Sequence, residues 1–342
     1  MSYYRGHKRR RLSGTAILVI IVGAVFVYAG ILLGIKAVGS RLEGKDTAAE
    51  PVGSLEGRFD SDDLTMQYAG RTWTYRERDL TNILLLGVDW SDASDAEPIR
   101  YAGQADFIFL ITVDKANKTV STLQIDRDTM TDIRIYGPFG DYTGTKKLQI
   151  CLSHAYGSTA DENCRNTAWA VSHLLGGIPV DKYIALDMGA IAALNDVLGG
   201  VTVTLEDDFS AFDPQMTKGI TLTLQGMQAE YYVRGRQGVG DGTNVSRMRR
   251  QRTFILQAEE MLSQGMSTDM NYAGTLFDAL ADHMTTNIER GWLINKAYES
   301  REYTRPSTQT PAGSHTIGTD GYVEFYPDQD ALSALLTTLF FE

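Results

Sequence analysis

The sequence predicts an α/β layered fold carried behind one N-terminal transmembrane helix, and three observations lead there. Thr81–Val88, Asp106–Asp114 and Thr119–Ile125 are short, largely apolar runs, the form of strands buried on both faces. Further along, stretches with apolar residues at helical spacing stop at glycine pairs, Gly176-Gly177 and Gly199-Gly200. Finally, Leu12–Ile35 holds 24 residues without a charge. As a helix it would rise about 36 Å and cross a bilayer core of about 30 Å.

Residues 1–11 form a basic tail, with Arg5, Lys8, Arg9, Arg10 and Arg11 and no acidic residue before Glu43. Positive charge stays on the cytoplasmic side, so the tail is expected inside the cell, residues 12–36 in the cell membrane as a single pass, and the rest outside. The apolar stretch exceeds the roughly 7 to 15 residues of a cleaved signal peptide, which favours a retained anchor. Residues 37–78, rich in Gly, Asp, Glu, Ser and Thr, read as a tether ending in a short edge element near Trp73 and Tyr75. Residues 79–342 are then expected to form one extracellular domain. After its three apolar strands, Leu148–Tyr156 and Asn166–Leu175 read as helices, Tyr183–Leu186 as a strand, Met188–Leu198 as a helix and Val201–Leu205 as a strand. Gly219–Met227 reads as a loop with a short helical turn; Arg247–Ser263, Asn271–Met284, Ile288–Tyr298 and Gln329–Phe341 read as helices. Cys151 and Cys164, both outside the membrane, are expected to form a disulfide. The Cys151/His154 spacing lacks the second Cys/His pair that a zinc site needs.

The formal net charge is −11, and beyond residue 36 the balance is 26 basic against 43 acidic residues. Such a surface repels nucleic acid, and a tail of about a dozen residues cannot hold a DNA-reading module. An anion must therefore bind at a locally basic place. Tyr232–Arg252 is that place, with Arg234, Arg236, Arg247, Arg249, Arg250 and Arg252 around the Gly238–Gly242 turn. Guanidinium forks match phosphate oxygens two at a time, so the cluster suggests a polyanion clamp. The plain alternative is a solvated helix face bearing Arg247, Arg250 and Arg252. Asp89 ends the first apolar strand, Asp106 opens the second and Arg127 follows the third. Ligands gather outside strand ends, and paired carboxylates are the hard donors that Mg2+ prefers when it also bridges substrate phosphates. Paired carboxylates also serve glycoside hydrolysis, but that chemistry does not require so many arginines. The chain has no G-x-S-x-G elbow, and the Gly238–Gly242 run does not follow a strand and open a helix as a dinucleotide site would.

Eight motifs in order resemble the LytR-CpsA-Psr family over about residues 80–264: NILLLGVD ending at Asp89, GQADFIFLITVD with Asp106, LQIDRDT with Arg127, KLQICLSHAYG with Lys147, the G-I-P-V-D-x-Y segment at Gly177–Tyr183, LNDVLGGV, YVRGR and SRMRRQR. The resemblance implies a central mixed sheet between helical layers. It also implies transfer of a glycan phosphate from a polyisoprenyl pyrophosphate carrier to peptidoglycan, with release of polyisoprenyl phosphate. On that pattern Arg127, Arg234, Arg236 and Arg247 would hold the pyrophosphate, and Asp89 and Asp106 would organise Mg2+. Lys147 and Gln251 would line the same site, and the apolar sheet and helices would enclose the lipid tail. Either Asp89 or Asp106 is the candidate base for the attacking sugar hydroxyl. Two positions depart from the pattern: Asp126 stands where Pro is common, and Asn244 where an Asp usually precedes Arg247 by three residues. Asp241 is a candidate for the missing carboxylate. The alternatives are a non-catalytic lipid-pyrophosphate sensor or scaffold, which would bind without turnover, and a polyisoprenyl pyrophosphate hydrolase, which needs no acceptor.

Overall fold

The computed structural model describes residues 55, 58–60, 62–89, 103–137, 139–269, 272–300 and 302–342; the expected tail, the membrane span and the start of the tether lie outside them. Among the described residues no helix is long and apolar enough to cross a membrane. The chain enters through an antiparallel meander of β1 (Phe59–Asp60), β2 (Thr65–Tyr68) and β3 (Arg71–Thr74), reversed at Ala69-Gly70, where both residues take positive φ. Within the stretch read as a tether, this sheet is bound into the fold: Met66 is fully buried and Thr74 exchanges two backbone hydrogen bonds with Glu342.

Next come β4 (Leu80–Val88), β5 (Ala105–Asp114), β6 (Thr119–Ile125) and the hairpin β7 (Met130–Tyr136) with β8 (Tyr142–Gln149). A 3-10 turn (Ile150–Ala155), α1 (Ala160–Leu174), β9 (Lys182–Leu186) and α2 (Gly189–Leu198) follow, then a ribbon of β10 (Thr202–Thr204) and β11 (Thr221–Thr223). The chain closes with α3 (Met227–Arg234), α4 (Asn244–Thr268), α5 (Tyr272–Leu280), β12 (Met284–Thr286), α6 (Arg290–Glu299), the hairpin β13 (Gly313–Ile317) with β14 (Val323–Pro327), and α7 (Gln329–Phe340).

The central sheet runs β12-β9-β4-β5-β6; β4 and β9 are parallel and the other pairs antiparallel, which makes it mixed. Successive side chains of a strand point to opposite faces, so a strand covered on both sides must be apolar throughout. β4 meets that demand. Ile83 and Leu85 join a cluster with apolar residues of α2 to α6, while Leu84 and Leu86 join another with residues of α1 and α7. The sheet is thus the middle layer of three.

Several expected elements change character. Leu148–Tyr156 splits into the end of β8 and the 3-10 turn, Gly219–Met227 contains β11, and the C-terminal part includes β12 and the β13/β14 hairpin besides its helices. β8 and β13 are largely exposed, so their sequences carry no buried apolar run to announce them.

The expected disulfide is corrected: Cys151 and Cys164 are both free and buried. Each sulfur has its own polar neighbour, Arg127 Nη2 at 3.2 Å from Cys151 and His154 Nε2 at 3.8 Å from Cys164. Burial pushes the two thiols up to about 11 and about 12, so both stay protonated at neutral pH. His154 Nδ1 lies 3.0 Å from the Gly103 carbonyl, to which it donates, leaving Nε2 to accept from the Cys164 thiol. Burial holds this imidazole down to about 4 against an ordinary 6.5. The fold therefore keeps His154 neutral while the unfolded chain takes up the proton, so its contribution to stability is complete above about pH 6.5 and is lost as pH falls towards 4. At about 1.4 kcal/mol per pKa unit the full loss is about 3 kcal/mol. Urea unfolding at neutral and acid pH should show a smaller acid loss in His154→Asn, whose amide keeps the bond to Gly103. Equal losses in the two proteins would remove His154 as the source.

Candidate active site

A β-bulge creates the site. Gly87 pairs with Phe107 and Val88 with Ala105, which leaves Asp106 as the extra residue on β5. Strict alternation would send Asp106 and Phe107 to opposite faces; the bulge lets both line one cavity. That cavity encloses about 290 Å³ between the sheet and α2, α3 and α4. Its walls are apolar, with Leu85, Phe107, Ile191, Leu194, Phe254 and Ile255, and Asp89, Asp106, Asp187, Arg234, Arg247 and Gln251 supply its polar side chains, Asp187 being paired with His283.

Asp106 is bracketed by two arginines. Its Oδ1 accepts from Arg127 Nη1 and its Oδ2 from Arg247 Nη1 at 2.8 Å; the Asp106 and Arg247 side chains are only 16% and 7% exposed. Arg127 also donates to Gln104 Oε1 and does not itself line the cavity; it stands behind Asp106. Asp89, just past β4, is 53% exposed and its Oδ1 accepts from Arg234 Nη2 at 2.9 Å. Arg236 donates from Nε to the Gly242 carbonyl at 3.3 Å, and its charge bears on Asp128 and Arg247. Burial first, and then the Asp126 carboxylate, lifts Asp128 above the ordinary carboxylate range. Burial likewise presses Arg247 below its usual value, against the pull of Asp106. Gln251 is buried in the cavity wall, and its Oε1 has no hydrogen-bond partner among the described residues.

Lys147 does not reach this cavity. It lies on the exposed part of β8 with its ammonium 5.9 Å from the centroid of the Tyr326 ring. The solvated-face alternative for the arginines also fails, because α4 turns several of them inward. Arg250 is 0% exposed and donates to Asp207 Oδ2 at 2.7 Å and Ser246 Oγ at 2.9 Å, while Arg252 reaches Gln124 Oε1 at 2.5 Å. Asp241 is not the missing carboxylate. It is exposed and its Oδ1 accepts from Thr243 N and Oγ1, a local turn ahead of α4. Instead the two unusual positions touch each other, Asn244 Nδ2 donating to Asp126 Oδ1 at 2.9 Å. Sequence reasoning missed Gln104, Asp207 and His315. Gln104 acts from the residue before β5 and His315 from the middle of the exposed strand β13, and Asp207 shows its purpose only once Arg250 is seen to be buried.

Among the described residues no three His, Cys, Asp or Glu converge into a ready metal cage. Asp89, with one oxygen engaged by Arg234, fits a cation that keeps water and borrows phosphate oxygens, which is the habit of Mg2+ rather than Zn2+, whereas Asp106, with both oxygens on arginines, could join it only by giving up one of those bonds.

Residues 40–340 match the model of the LytR_cpsA_psr family. The chain belongs to that family. A polyisoprenyl-teichoic acid–peptidoglycan teichoic acid transferase TagU from Halalkalibacterium halodurans is 28% identical over 224 residues, covering 65% of this chain and 66% of that protein, just under two-thirds of its length. TagU of Bacillus subtilis is 27% identical over 267 residues, covering 77% and 78%. Among solved structures, Bacillus subtilis TagV aligns with a TM-score of 0.59 at 22% identity, over 76% of this chain and 96% of that one. The likeness establishes the LytR_cpsA_psr fold, an α/β architecture with a central mixed sheet and helices.

Proposed function

We propose that the protein transfers a glycopolymer phosphate from a polyisoprenyl pyrophosphate carrier to peptidoglycan and releases polyisoprenyl phosphate. One observation carries this reading: an apolar cavity lined by a carboxylate that two arginines bracket, and by a further arginine paired with a second carboxylate. Long apolar walls suit an isoprenoid chain, and converging guanidiniums suit a pyrophosphate. The named relatives, teichoic acid transferases, support the same reading.

In this reading Leu85, Phe107, Ile191, Phe254 and Ile255 hold the lipid tail, and Arg234 and Arg247 hold the pyrophosphate with Gln251, while Arg127 fixes Asp106 and Arg236, outside the cavity lining, contributes only its charge. Asp89, and Asp106 on giving up one arginine, would hold Mg2+, which would neutralise charge on the nonbridging oxygens. The acceptor hydroxyl oxygen bonds to the glycan-bearing phosphorus, and the bond from that phosphorus to the bridging oxygen breaks. The bridging oxygen leaves with the electron pair as lipid phosphate, and the hydroxyl proton passes to a carboxylate. Asp89 fits that base better than Asp106, because both Asp106 oxygens are engaged by arginines whereas Asp89 is half exposed. Residues 12–36 would anchor the domain at the outer face of the cell membrane, where the donor resides, with no role for nucleic acid.

The test is incubation of the full chain with a polyisoprenyl pyrophosphate-linked glycan and peptidoglycan. The expected result is a phosphodiester-linked product and an equal amount of polyisoprenyl monophosphate. Monophosphate released equally without acceptor would replace this reading with a hydrolase, and binding without turnover would replace it with a sensor.

A further inference from the structure

We propose that Asp126, held from the C-terminal hairpin by His315, is a positioning residue for Arg247. Asp126 follows β6 directly and is buried. Its carboxylate accepts from three donors: the Asp128 backbone N–H at 2.9 Å and Asn244 Nδ2 at 2.9 Å on Oδ1, and His315 Nε2 at 3.0 Å on Oδ2. A carboxylate offers only acceptors, so it decides which end of the Asn244 amide turns towards it. The amide nitrogen faces Asp126, and the amide oxygen is thereby left for Arg247, taking Nη2 at 2.7 Å and Nε at 3.2 Å. Arg247 Nη1 then reaches Asp106 Oδ2 at 2.8 Å. Three of the five guanidinium N–H groups are fixed in this way, and two remain for a ligand in the cavity that Arg247 lines.

The hairpin of β13 and β14 grips this corner twice. His315 on β13 holds the Asp126 side chain, and the Phe325 N–H on β14 donates to the Asp128 carbonyl at 2.8 Å. A segment almost 200 residues from Asp126 in the chain thus sets the orientation of a side chain at the cavity, through one amide. Asp126 therefore touches no ligand and acts only by fixing what does.

The test uses the full chain in detergent and two readouts. The first needs no ligand: the Arg247 Nε–H signal in ¹H–¹⁵N NMR spectra, assigned by its disappearance in Arg247→Lys. The second rests on the function proposed above: binding of geranylgeranyl pyrophosphate. Asp126→Asn frees the Asn244 amide to turn its nitrogen towards Arg247, so the Nε–H signal should shift or vanish and binding weaken by about tenfold. Asn244→Asp sets two carboxylates face to face and should do the same. In the exchange Asp126→Asn with Asn244→Asp, donor and acceptor swap ends and a carboxylate oxygen again faces Arg247. The signal should return, and binding should recover to within about threefold of wild type. Melting temperatures confirm that each variant is folded. An unchanged Arg247 signal in Asp126→Asn, or an exchange protein that folds without restoring it, would overturn the proposal. If wild type fails to bind geranylgeranyl pyrophosphate while the NMR signal behaves as expected, the pyrophosphate reading falls and the positioning role stands.

Discussion

Arg247→Ala should lower transfer by at least about a hundredfold, because it would remove the proposed charged hydrogen bonds to the pyrophosphate, each worth about 1.5 to 3 kcal/mol. It also leaves Asn244 Oδ1 without its two donors and Asp106 with Arg127 alone. Arg247→Lys keeps the charge but not the planar fork that spans Asn244 and Asp106 together, so it should stay at least about tenfold below wild type. Arg127→Ala acts one step further back, through the orientation of Asp106, and a loss of about tenfold is expected. Arg249→Ala is the control: its partner Glu206 is exposed and the pair lies on the surface, so activity should hold within about twofold. Steady-state transfer with folding checked by thermal melts decides the ordering. If Arg247→Ala and Arg249→Ala turn over alike, the clamp is not at Arg247.

The parts of this site that could be read from the sequence are those whose chemistry is local. The central strands were legible because a two-sided core requires unbroken apolar runs, and β4, β5 and β6 supply them. Asp89, Asp106 and Arg127 were legible because strand ends gather ligands, and the cavity or its immediate support contains all three. Arginines were legible as a cluster but not as individuals. Which of them enters the cavity depends on how α4 rotates against the sheet, and Arg250 was spent on Asp207 inside the core while Arg247 went to Asp106. The bulge at Asp106 leaves no mark in the sequence, since one extra residue in a strand changes pairing and not composition. The Cys151/Cys164 pairing failed for a related reason. A short separation in sequence says nothing about direction, and each thiol faces a different polar partner. His315 was out of reach altogether, because an exposed strand with no apolar pattern contributes to the site from the far end of the chain.

Asp89→Asn should separate the two carboxylates by role. The substitution keeps the side-chain shape and an acceptor for Arg234 Nη2, but the amide can neither take the proton of the attacking hydroxyl nor offer a charged oxygen to a cation. General-base catalysis is worth about a hundredfold to ten-thousandfold, so turnover should fall by that order. Binding of the lipid pyrophosphate without cation should change little, since Asp89 is half exposed and holds only Arg234. Asp106→Asn should show the opposite balance. Its carboxylate bridges Arg127 and Arg247, so losing the charge loosens both guanidiniums and the binding constant should worsen by about tenfold or more. Measuring dissociation constants by calorimetry beside single-turnover rates for the two variants distinguishes these outcomes. An Asp89→Asn protein that binds normally and still transfers at the wild-type rate would move the base elsewhere. Asp106 could then serve only by letting go of an arginine first, because both of its oxygens are already taken.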